Sequence, residues 1–326
     1  MDASSSLTVA DQRRDLAEAR SRAYGLFGAL LAGGGHATTL DRARAIPELA
    51  ALFDGDDDEL AAGHHDLFSM EIFPLASVYL DRDMLAGSRE AEACAGIYQQ
   101  AGFGPGSSEP TDHLGVQLAF LGYLAGAESD ARRDGLGSAA AALVEQQRQF
   151  LSRLLAWLPP LAVAAEEHEP CPWSHLLQLA IEVVIDHASE LEIRADDPEL
   201  EPEGNPLERD KTGLRSVARY LCAPARSGVL LTRSDIAALS ERASMPRGFG
   251  SRVQMVGNLL INAAEYGTAS DMAGAVAGKL TERAERYRRM AEEPAWASAR
   301  VWAARADAAA DVCRQLGAAA RELAPG

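Results

Sequence analysis

The residues with most potential for chemistry are a neighbouring carboxylate and imidazole, Asp112 and His113. Such a pair could form half of a catalytic triad, but adjacent residues cannot easily orient one another as acid and base. The sequence also contains no G-x-S-x-G segment to supply an activated serine. From the residues alone, we therefore expect Asp112 to cap a helix and His113 to form a local hydrogen bond.

The acidic run 54–59 is a candidate metal-binding segment. Its alternating aspartates resemble the opening of a calcium loop. The sixth position is Glu59, where the loop requires glycine, and the twelfth is His65 instead of a bidentate glutamate. This run is predicted to be a solvated helix start.

Zinc and phosphate sites have equally little support. His168, Cys171 and His175 are three potential zinc ligands, but no second ligand cluster accompanies them. No Walker A motif is present, and the glycines of 248–252 are better explained by a capped turn. We predict no metal site, no catalytic residue and no cofactor. A nucleotide hydrolase is disfavoured for the same reasons.

The Asp-His pair stands at the start of a predicted helix. Proline is tolerated in a first helical turn, and Pro110 precedes the pair by two residues. Leu114, Leu118 and Leu121 then recur at helical spacing and define a buried face. This helix should hold the two polar side chains at its mouth.

The whole composition predicts an all-α protein. Hydrophobic residues make up 47% of the 326 residues, alanine and leucine dominate among them, and strand-like alternation is absent. No stretch of eighteen apolar residues exists that could span a membrane, and no secretory signal is recognisable. The four cysteines are scattered and are predicted to be small core residues. A cytoplasmic location is expected.

Local signals predict a series of helices. Pro74 lies in a segment, 73–84, that is predicted to be extended or looped, and Pro159-Pro160 is predicted to end a helix. The predicted helices cover approximately 11–32, 39–53, 57–71, 88–101, the segment after His113, 138–158, 172–191, 211–223, 233–243, 251–266, 270–292 and 295–322.

Charge and composition divide the chain into two predicted domains. Residues 1–204 carry a net charge of −22, whereas residues 205–326 carry +5. The segment 195–206 is acidic and rich in proline and glycine, which is typical of a linker. We therefore predict domains at 1–194 and 207–326. The acidic first part argues against nucleic acid as a partner and suits a basic peptide, although an acidic surface can also serve solubility alone.

Three segments in the first domain carry a family resemblance. They are Pro74-x-x-Ser77-x-Tyr79, Tyr98-x-x-Ala101-Gly102-Phe103 and Glu109-Pro110-x-Asp112-His113-Leu114, with a weaker element over 150–159. Their order and spacing resemble the TorD/DmsD/NarJ family of chaperones dedicated to molybdenum-cofactor enzymes, over roughly residues 10–195. The resemblance implies a TorD-like helical bundle, followed here by a second, smaller helical domain.

The resemblance also implies a function and a site. The expected function is that of a non-enzymatic cytoplasmic chaperone, which binds the apoprotein and twin-arginine signal peptide of a molybdopterin oxidoreductase, assists cofactor insertion and delays export. The implied client-binding residues are Pro74, Leu75, Ser77, Tyr79, Glu109, Pro110, Asp112 and His113. No membrane-spanning segment is expected in this chain. A homodimer formed by the exchange of segments between two copies is compatible with a flexible linker.

Two features depart from the family pattern. Family members often carry an aromatic residue where this chain has Leu75, and Ser152-Arg153 stands where they commonly have Asp-His. The second domain has no counterpart; its opposite charge suggests that it docks against the first domain or covers its groove. The alternative function is a helical regulatory or sensor protein that uses the TorD-like domain for partner recognition.

Overall fold

The computed structural model describes residues 9–34, 36–84, 89–106, 108–208, 212–246 and 248–323. Across these residues the chain forms helices, turns and loops, and no β-strand. The all-α prediction is therefore confirmed. The predicted helix start at Ser88 lies outside the described residues. No helix in the described ranges is long and apolar enough to cross a lipid bilayer.

Ten α-helices are described in the first 190 residues. They are α1 (Val9–Gly33), α2 (Ala37–Arg44), α3 (Pro47–Ala50), α4 (Asp57–His65, continued by a π-helical turn Asp66–Glu71), α5 (Ala76–Leu80), α6 (Arg89–Ala101), α7 (Leu114–Arg133), α8 (Gly137–Leu155), α9 (Leu158–Glu167) and α10 (Pro172–Glu190). Most of the predicted helices agree with these bounds to within a few residues.

Prolines account for the main differences from the predicted elements. Pro47 begins α3 and so divides the helix predicted over 39–53, because proline suits a first helical turn but cannot continue a helix. Pro159 and Pro160 were expected to end a helix; they lie instead in the first turn of α9. The segment 73–84, predicted to be extended or looped, contains the short helix α5.

Helices α1 and α7 form the centre of the first part. They run antiparallel, and their backbones approach closely at Gly28 and Gly115: a Cβ added to Gly28 would lie 2.6 Å from the Gly115 carbonyl oxygen. The Ser21 hydroxyl donates to the Gly122 carbonyl at 2.8 Å. The glycines thus allow α7, and with it the Asp112–His113 turn, to pack tightly on α1.

Six further α-helices follow residue 205. They are α11 (Leu214–Cys222), α12 (Pro224–Ser227), α13 (Arg233–Arg242), α14 (Arg252–Glu265), α15 (Ala269–Met290) and α16 (Ala299–Leu323), with short 3-10 turns at Pro206–Glu208 and Pro294–Trp296. Side-chain capping boxes begin α13 at Thr232 and α14 at Ser251. These caps satisfy N–H groups that would otherwise lack partners at the helix start.

The second group of helices packs directly on the first. The Trp302 indole N–H donates to the Ala156 carbonyl at 2.9 Å, and the Ser298 hydroxyl donates to the Leu155 carbonyl at 2.8 Å. The buried apolar residues of both groups form one continuous cluster. The division into domains around 195–206 stays a prediction, because packing in the folded state does not determine whether either part folds alone.

Candidate functional site

The two predicted site segments meet through their backbones. Leu75 and His113 form an isolated antiparallel bridge. The Leu114 N–H donates to the Pro74 carbonyl at 2.7 Å, and the Ala76 N–H donates to the Asp112 carbonyl at 3.2 Å. We call this meeting point, formed by residues 74–79 and 109–114, the junction. It brings together residues as far apart in sequence as Leu75 and His113.

Asp112 stabilises the start of α5, the helix on the opposite side of the junction. Its side chain is fully buried, and its Oδ2 accepts a hydrogen bond from the Ser77 N–H at 2.9 Å. The Gln117 side chain donates to the Asp112 carbonyl at 2.6 Å and so holds the turn from within α7. Asp112 was expected to cap its own helix; it caps α5 because the junction places the Ser77 N–H against it.

His113 takes the capping position of α7. Its Nδ1 accepts a hydrogen bond from the Gly115 N–H at 3.0 Å. Burial is the main cause that lowers the pKa of His113 to about 4, and the neighbouring His64 lowers it further. The imidazole is therefore neutral near pH 7, as an acceptor must be. Since Asp112 and His113 are directed at different helix ends, the geometry gives no acid–base dyad.

Ser77 and Tyr79 lie beneath the surface of the junction. Both are fully buried, and the hydroxyl groups of both lack a hydrogen-bond partner among the described atoms. The Tyr79 ring stacks on Trp157 with 5.3 Å between the ring centres. Burial raises the pKa of Tyr79 well above its ordinary value. Both side chains therefore support the junction from below.

The surface of the junction is formed by other predicted residues. Leu75, Glu109 and Pro110 are half-buried, whereas Pro74 is buried with the polar residues described above. The structure thus brings all eight predicted residues into one region, but divides them. Leu75, Glu109 and Pro110 form an accessible lip, and the other five form its support.

Sequence reasoning missed several residues of this region. Tyr98 was noted as a motif residue, and its hydroxyl donates to the Thr111 carbonyl at 2.8 Å, which ties α6 to the turn. Thr111 and Gln117 were not identified. Gln117 lies one helical turn after His113, so its spacing was a signal, but polar residues at such positions are usually solvated.

The second group of helices borders the junction on one side. The Arg252 guanidinium lies over the Phe73 ring, 4.8 Å from its centre. The Glu71 carboxylate accepts from the Ser234 N–H at 3.1 Å, and so contacts the first turn of α13. Arg226 donates to the Arg82 carbonyl at 3.1 Å. Helices α12 to α14 therefore contact both ends of the segment that carries Pro74 and Tyr79.

None of the metal candidates in the sequence forms a cluster in the described ranges, where no three His, Cys, Asp or Glu side chains could hold one ion. The Asp56 carboxylate accepts from the Asp58 N–H and caps α4, as expected of a helix start. Cys171 caps α10 instead of lying in the core: its Sγ accepts from the Ser174 N–H at 3.4 Å.

Part of this chain is similar to known proteins. Residues 37–163 match the family model described as nitrate reductase delta subunit. The chaperone protein TorD of Vibrio cholerae serotype O1 is 35% identical over 114 residues, which is 32% of this chain and 49% of the relative. The chaperone protein TorD of Vibrio vulnificus is 32% identical over 132 residues, or 38% of this chain and 60% of the relative. No solved structure matches the chain with significance.

Both sides of the junction lie within the matched segment. The chain spans about half of the length of the relatives that it matches, and the family model ends before α10. The resemblance noted from the sequence motifs is confirmed by these matches. Over residues 37–163, the chain is similar to the nitrate reductase delta subunit family and to the TorD chaperones.

Proposed function

We propose that this protein is a cytoplasmic chaperone dedicated to one molybdopterin oxidoreductase. It binds the apo form of the catalytic subunit together with its twin-arginine signal peptide, keeps that subunit accessible for cofactor insertion, and delays export until the cofactor is in place. The protein itself catalyses no reaction and holds no cofactor. The proposal is supported by the named chaperones among its relatives and by the family match over the junction.

The observation that carries the proposal is the division of the junction into lip and support. Buried Asp112 and His113 fix the backbone by capping two different helices. Leu75 and Pro110 are held above them with apolar surface exposed. A pre-ordered apolar lip loses little conformational entropy when a partner binds. Leu75, Glu109 and Pro110 would contact the client, and Asp112 and His113 would be positioning residues.

The charge of the first part suits such a client. A twin-arginine signal has a basic start and an apolar middle, and residues 1–204 carry a net charge of −22. Opposite charge accelerates the encounter of two partners and favours the correct one. Apolar contact at the lip would then supply much of the affinity.

The test is complex formation with the precursor of a molybdopterin oxidoreductase encoded in the same genome. The tagged protein and the precursor are co-expressed, and the stoichiometry of the purified complex is measured with and without bound molybdopterin. We expect a 1:1 complex with the apo precursor and little with the mature, cofactor-loaded enzyme. Leu75→Asp should weaken the complex at least tenfold, because it places a charge on the apolar lip.

Leu136→Asp is the matched control. Leu136 is 55% exposed and follows α7, whereas the junction precedes it, and a helix of twenty residues is about 30 Å long. The same substitution there should leave the complex intact. Equal binding by both variants would show that the client contacts a surface other than the lip. Specific recovery of a membrane sensor or a transcription factor, and of no precursor, would favour the regulatory alternative.

A further inference from the structure

A groove of about 550 Å³ lies within the second group of helices, between α11 and α14. Arg215 and Arg219 line it from α11, Val253 and Asn258 line it from α14, and Phe249 comes from the turn before α14. The family model ends at residue 163, so the whole groove belongs to the part of the chain that the model does not cover.

The two arginines of the groove carry positive charge without a counter-charge. Both are exposed, and neither forms an ion pair or a hydrogen bond with a residue that the structure describes. Because they are four residues apart on α11, their Cβ atoms are about 5–6 Å apart and the two guanidinium groups repel one another. None of the described residues that line the groove is acidic. A ligand with two anionic groups would relieve the repulsion.

Another groove with several arginines shows what a compensated arrangement looks like in this protein. About 390 Å³ lie between α5, α6 and α12, where three arginines share the lining with five carboxylates. There Arg82 contacts Glu201 at 2.6 Å and Arg226 contacts Asp83 at 3.3 Å. Those charges are neutralised within the protein. In the groove between α11 and α14, the counter-charge has to come from a ligand.

The apolar side chain of the groove stands on a fixed turn. Phe249 is 90% exposed. Arg233 donates to the Gly250 carbonyl at 3.0 Å, and the Ser251 N–H donates to the Gln254 Oε1 at 2.8 Å. The φ angle of Gly250 is 113°, and a Cβ there would lie 2.4 Å from the Gln254 Oε1, so the turn requires glycine. An exposed aromatic ring on a fixed backbone loses little conformational entropy when a partner covers it.

We propose that the groove between α11 and α14 binds an acidic segment of a partner protein, in which two carboxylate side chains adjoin an apolar one. In an extended segment, residues two apart face the same side at a distance of about 7 Å. Arg215 and Arg219 are separated by about 6 Å along α11. Each carboxylate therefore pairs with one guanidinium, and the apolar side chain packs on Phe249.

The chemistry of this ligand separates it from the client of the proposed function. The client's signal is basic, whereas the groove takes an acidic segment, so the partner is a second protein. The groove is formed entirely by residues after 205, and the junction entirely by residues before 115. The inference therefore does not depend on the proposed function.

Nucleic acid is a less suitable anionic ligand for this groove. Proteins bind nucleic acid through contacts with many phosphates, and two arginines supply only two such contacts. The net charge of −17 on the whole chain also repels a long polyanion. A short acidic segment needs only the two ion pairs that the groove offers.

Calorimetric titration of the full-length protein tests the proposal. The ligand is a synthetic peptide with blocked termini, which carries two glutamates alternating with serines and followed by a leucine. Its analogue has glutamines in place of the glutamates. We expect the analogue to bind at least tenfold more weakly, because it cannot form the two ion pairs. Raising the salt concentration from about 50 to about 300 mM should weaken binding of the acidic peptide several-fold, because both arginines are exposed.

The double variant Arg215→Gln/Arg219→Gln should weaken binding of the acidic peptide at least tenfold without a change in melting temperature, since neither arginine contacts a described acidic residue. Arg314→Gln/Arg321→Gln is the matched control. It removes the same charge from two exposed arginines of α16 and should leave binding unchanged.

Phe249→Ser tests the apolar contact and should weaken binding several-fold. Tyr266→Ser is its control, because Tyr266 is 74% exposed and follows α14 at the opposite end from Phe249. This substitution should leave binding of the acidic peptide unchanged.

Equal binding of the two peptides, or equal binding by the two double variants, would overturn the inference. Binding of an oligothymidylate as tight as that of the acidic peptide would overturn the assignment to a protein. Self-association that is lost in Arg215→Gln/Arg219→Gln would show that a second copy of the chain occupies the groove, and would overturn the assignment to another protein.

Complex formation with the molybdopterin-enzyme precursor separates this inference from the proposed function. Arg215→Gln/Arg219→Gln should form that complex as the wild type does, and Leu75→Asp should bind the acidic peptide as the wild type does. A failure of the peptide measurement therefore leaves the proposed function standing, and the reverse also holds.

Discussion

His113 is buried as a neutral imidazole, and this makes folding depend on pH. Its pKa in the folded protein is about 4, against an ordinary value of about 6.5. Between these values the unfolded chain binds more protons than the folded protein, so stability falls as pH falls from 6.5 to 4. Above pH 6.5 the contribution is constant. His187, whose pKa burial lowers to about 3, acts in the same direction.

We expect His113→Asn to reduce this dependence on pH. The asparagine carbonyl can accept the Gly115 N–H and keep the cap, but it cannot be protonated. Between pH 7.5 and pH 5, the wild-type protein should lose about 2 kcal/mol more of its free energy of unfolding than the variant does. Urea unfolding at the two pH values measures the difference. Parallel losses in both proteins would mean that the His113 ring is accessible to protons in the folded state.

The Asp112–His113 motif was recognisable in the sequence, but the role of each of its two side chains was not. Acidic and imidazole side chains at a helix start predict capping, and both residues do cap helices. The sequence does not show that Asp112 serves α5, because its partner Ser77 lies 35 residues upstream and only the folded chain brings the two together.

At the scale of elements, the contact between α1 and α7 determines where the junction lies. Gly28 and Gly115 face each other so closely that a Cβ on Gly115 would lie 2.7 Å from the Gly28 carbonyl oxygen. The obstructing atoms belong to the backbone and cannot rotate away. A side chain at either position would therefore push the two helices apart and move the turn that carries His113.

Gly115→Ala should consequently destabilise the protein by about 1–3 kcal/mol, as overpacking does elsewhere. Gly25→Ala is the control within the same helix pair. Apart from its own helical backbone and chain neighbours, no described atom lies within 4 Å of a Cβ placed on Gly25, so the better helix propensity of alanine should stabilise the protein by up to about 1 kcal/mol. Thermal unfolding of the two variants measures this difference in stability as a difference in melting temperature. Similar melting temperatures would contradict the close approach of the two helices.

Local sequence patterns predicted the positions of most helices well. They did not predict where one helix is interrupted and the next begins. Proline is compatible both with the end of one helix and with the first turn of the next. Pro159-Pro160 could therefore be placed only once α8 was seen to end at Leu155 and α9 to begin at Leu158. The sequence also could not predict α5, because five residues are too few to establish a helical period.

At the scale of the whole molecule, Arg283 joins three helices from both groups. It lies in α15 and is 1% exposed; its guanidinium contacts the Glu167 carboxylate of α9 at 2.8 Å and the Asp235 carboxylate of α13 at 2.9 Å. Burial alone raises the pKa of Asp235, but Arg283 and Lys279 offset it, so that pKa lies below its usual value. The Asp235 carboxylate is thus held charged inside the interface.

Arg283→Ala should destabilise the protein by about 3–5 kcal/mol, because it leaves the buried Asp235 carboxylate without its main partner. Arg288→Ala on the same helix removes a largely exposed ion pair with Asp307 and should cost at most about 1 kcal/mol. Unfolding by denaturant measures the loss of stability in both variants. A small effect of Arg283→Ala would show that Lys279 alone compensates the two carboxylates. A single transition is expected in all cases, because the core is continuous.

The sequence by itself determined those features that depend on residues close together along the chain. The helical composition, the spacing of Leu114, Leu118 and Leu121, and the order of the motifs around Pro74 and Asp112 were enough to predict the fold class and the family resemblance. These features are local because a helix forms its hydrogen bonds within four residues, and its buried face repeats at a fixed spacing.

Only the tertiary structure decided which side chains a partner can reach. It buried Asp112, His113 and Tyr79 as supports and left Leu75 and Pro110 accessible, and it brought α11 against α14 to form a basic groove. Exposure and contact between distant segments depend on how the helices pack. That packing arises from many weak contacts across the whole core, such as the approach of Gly28 to Gly115, which no local pattern encodes.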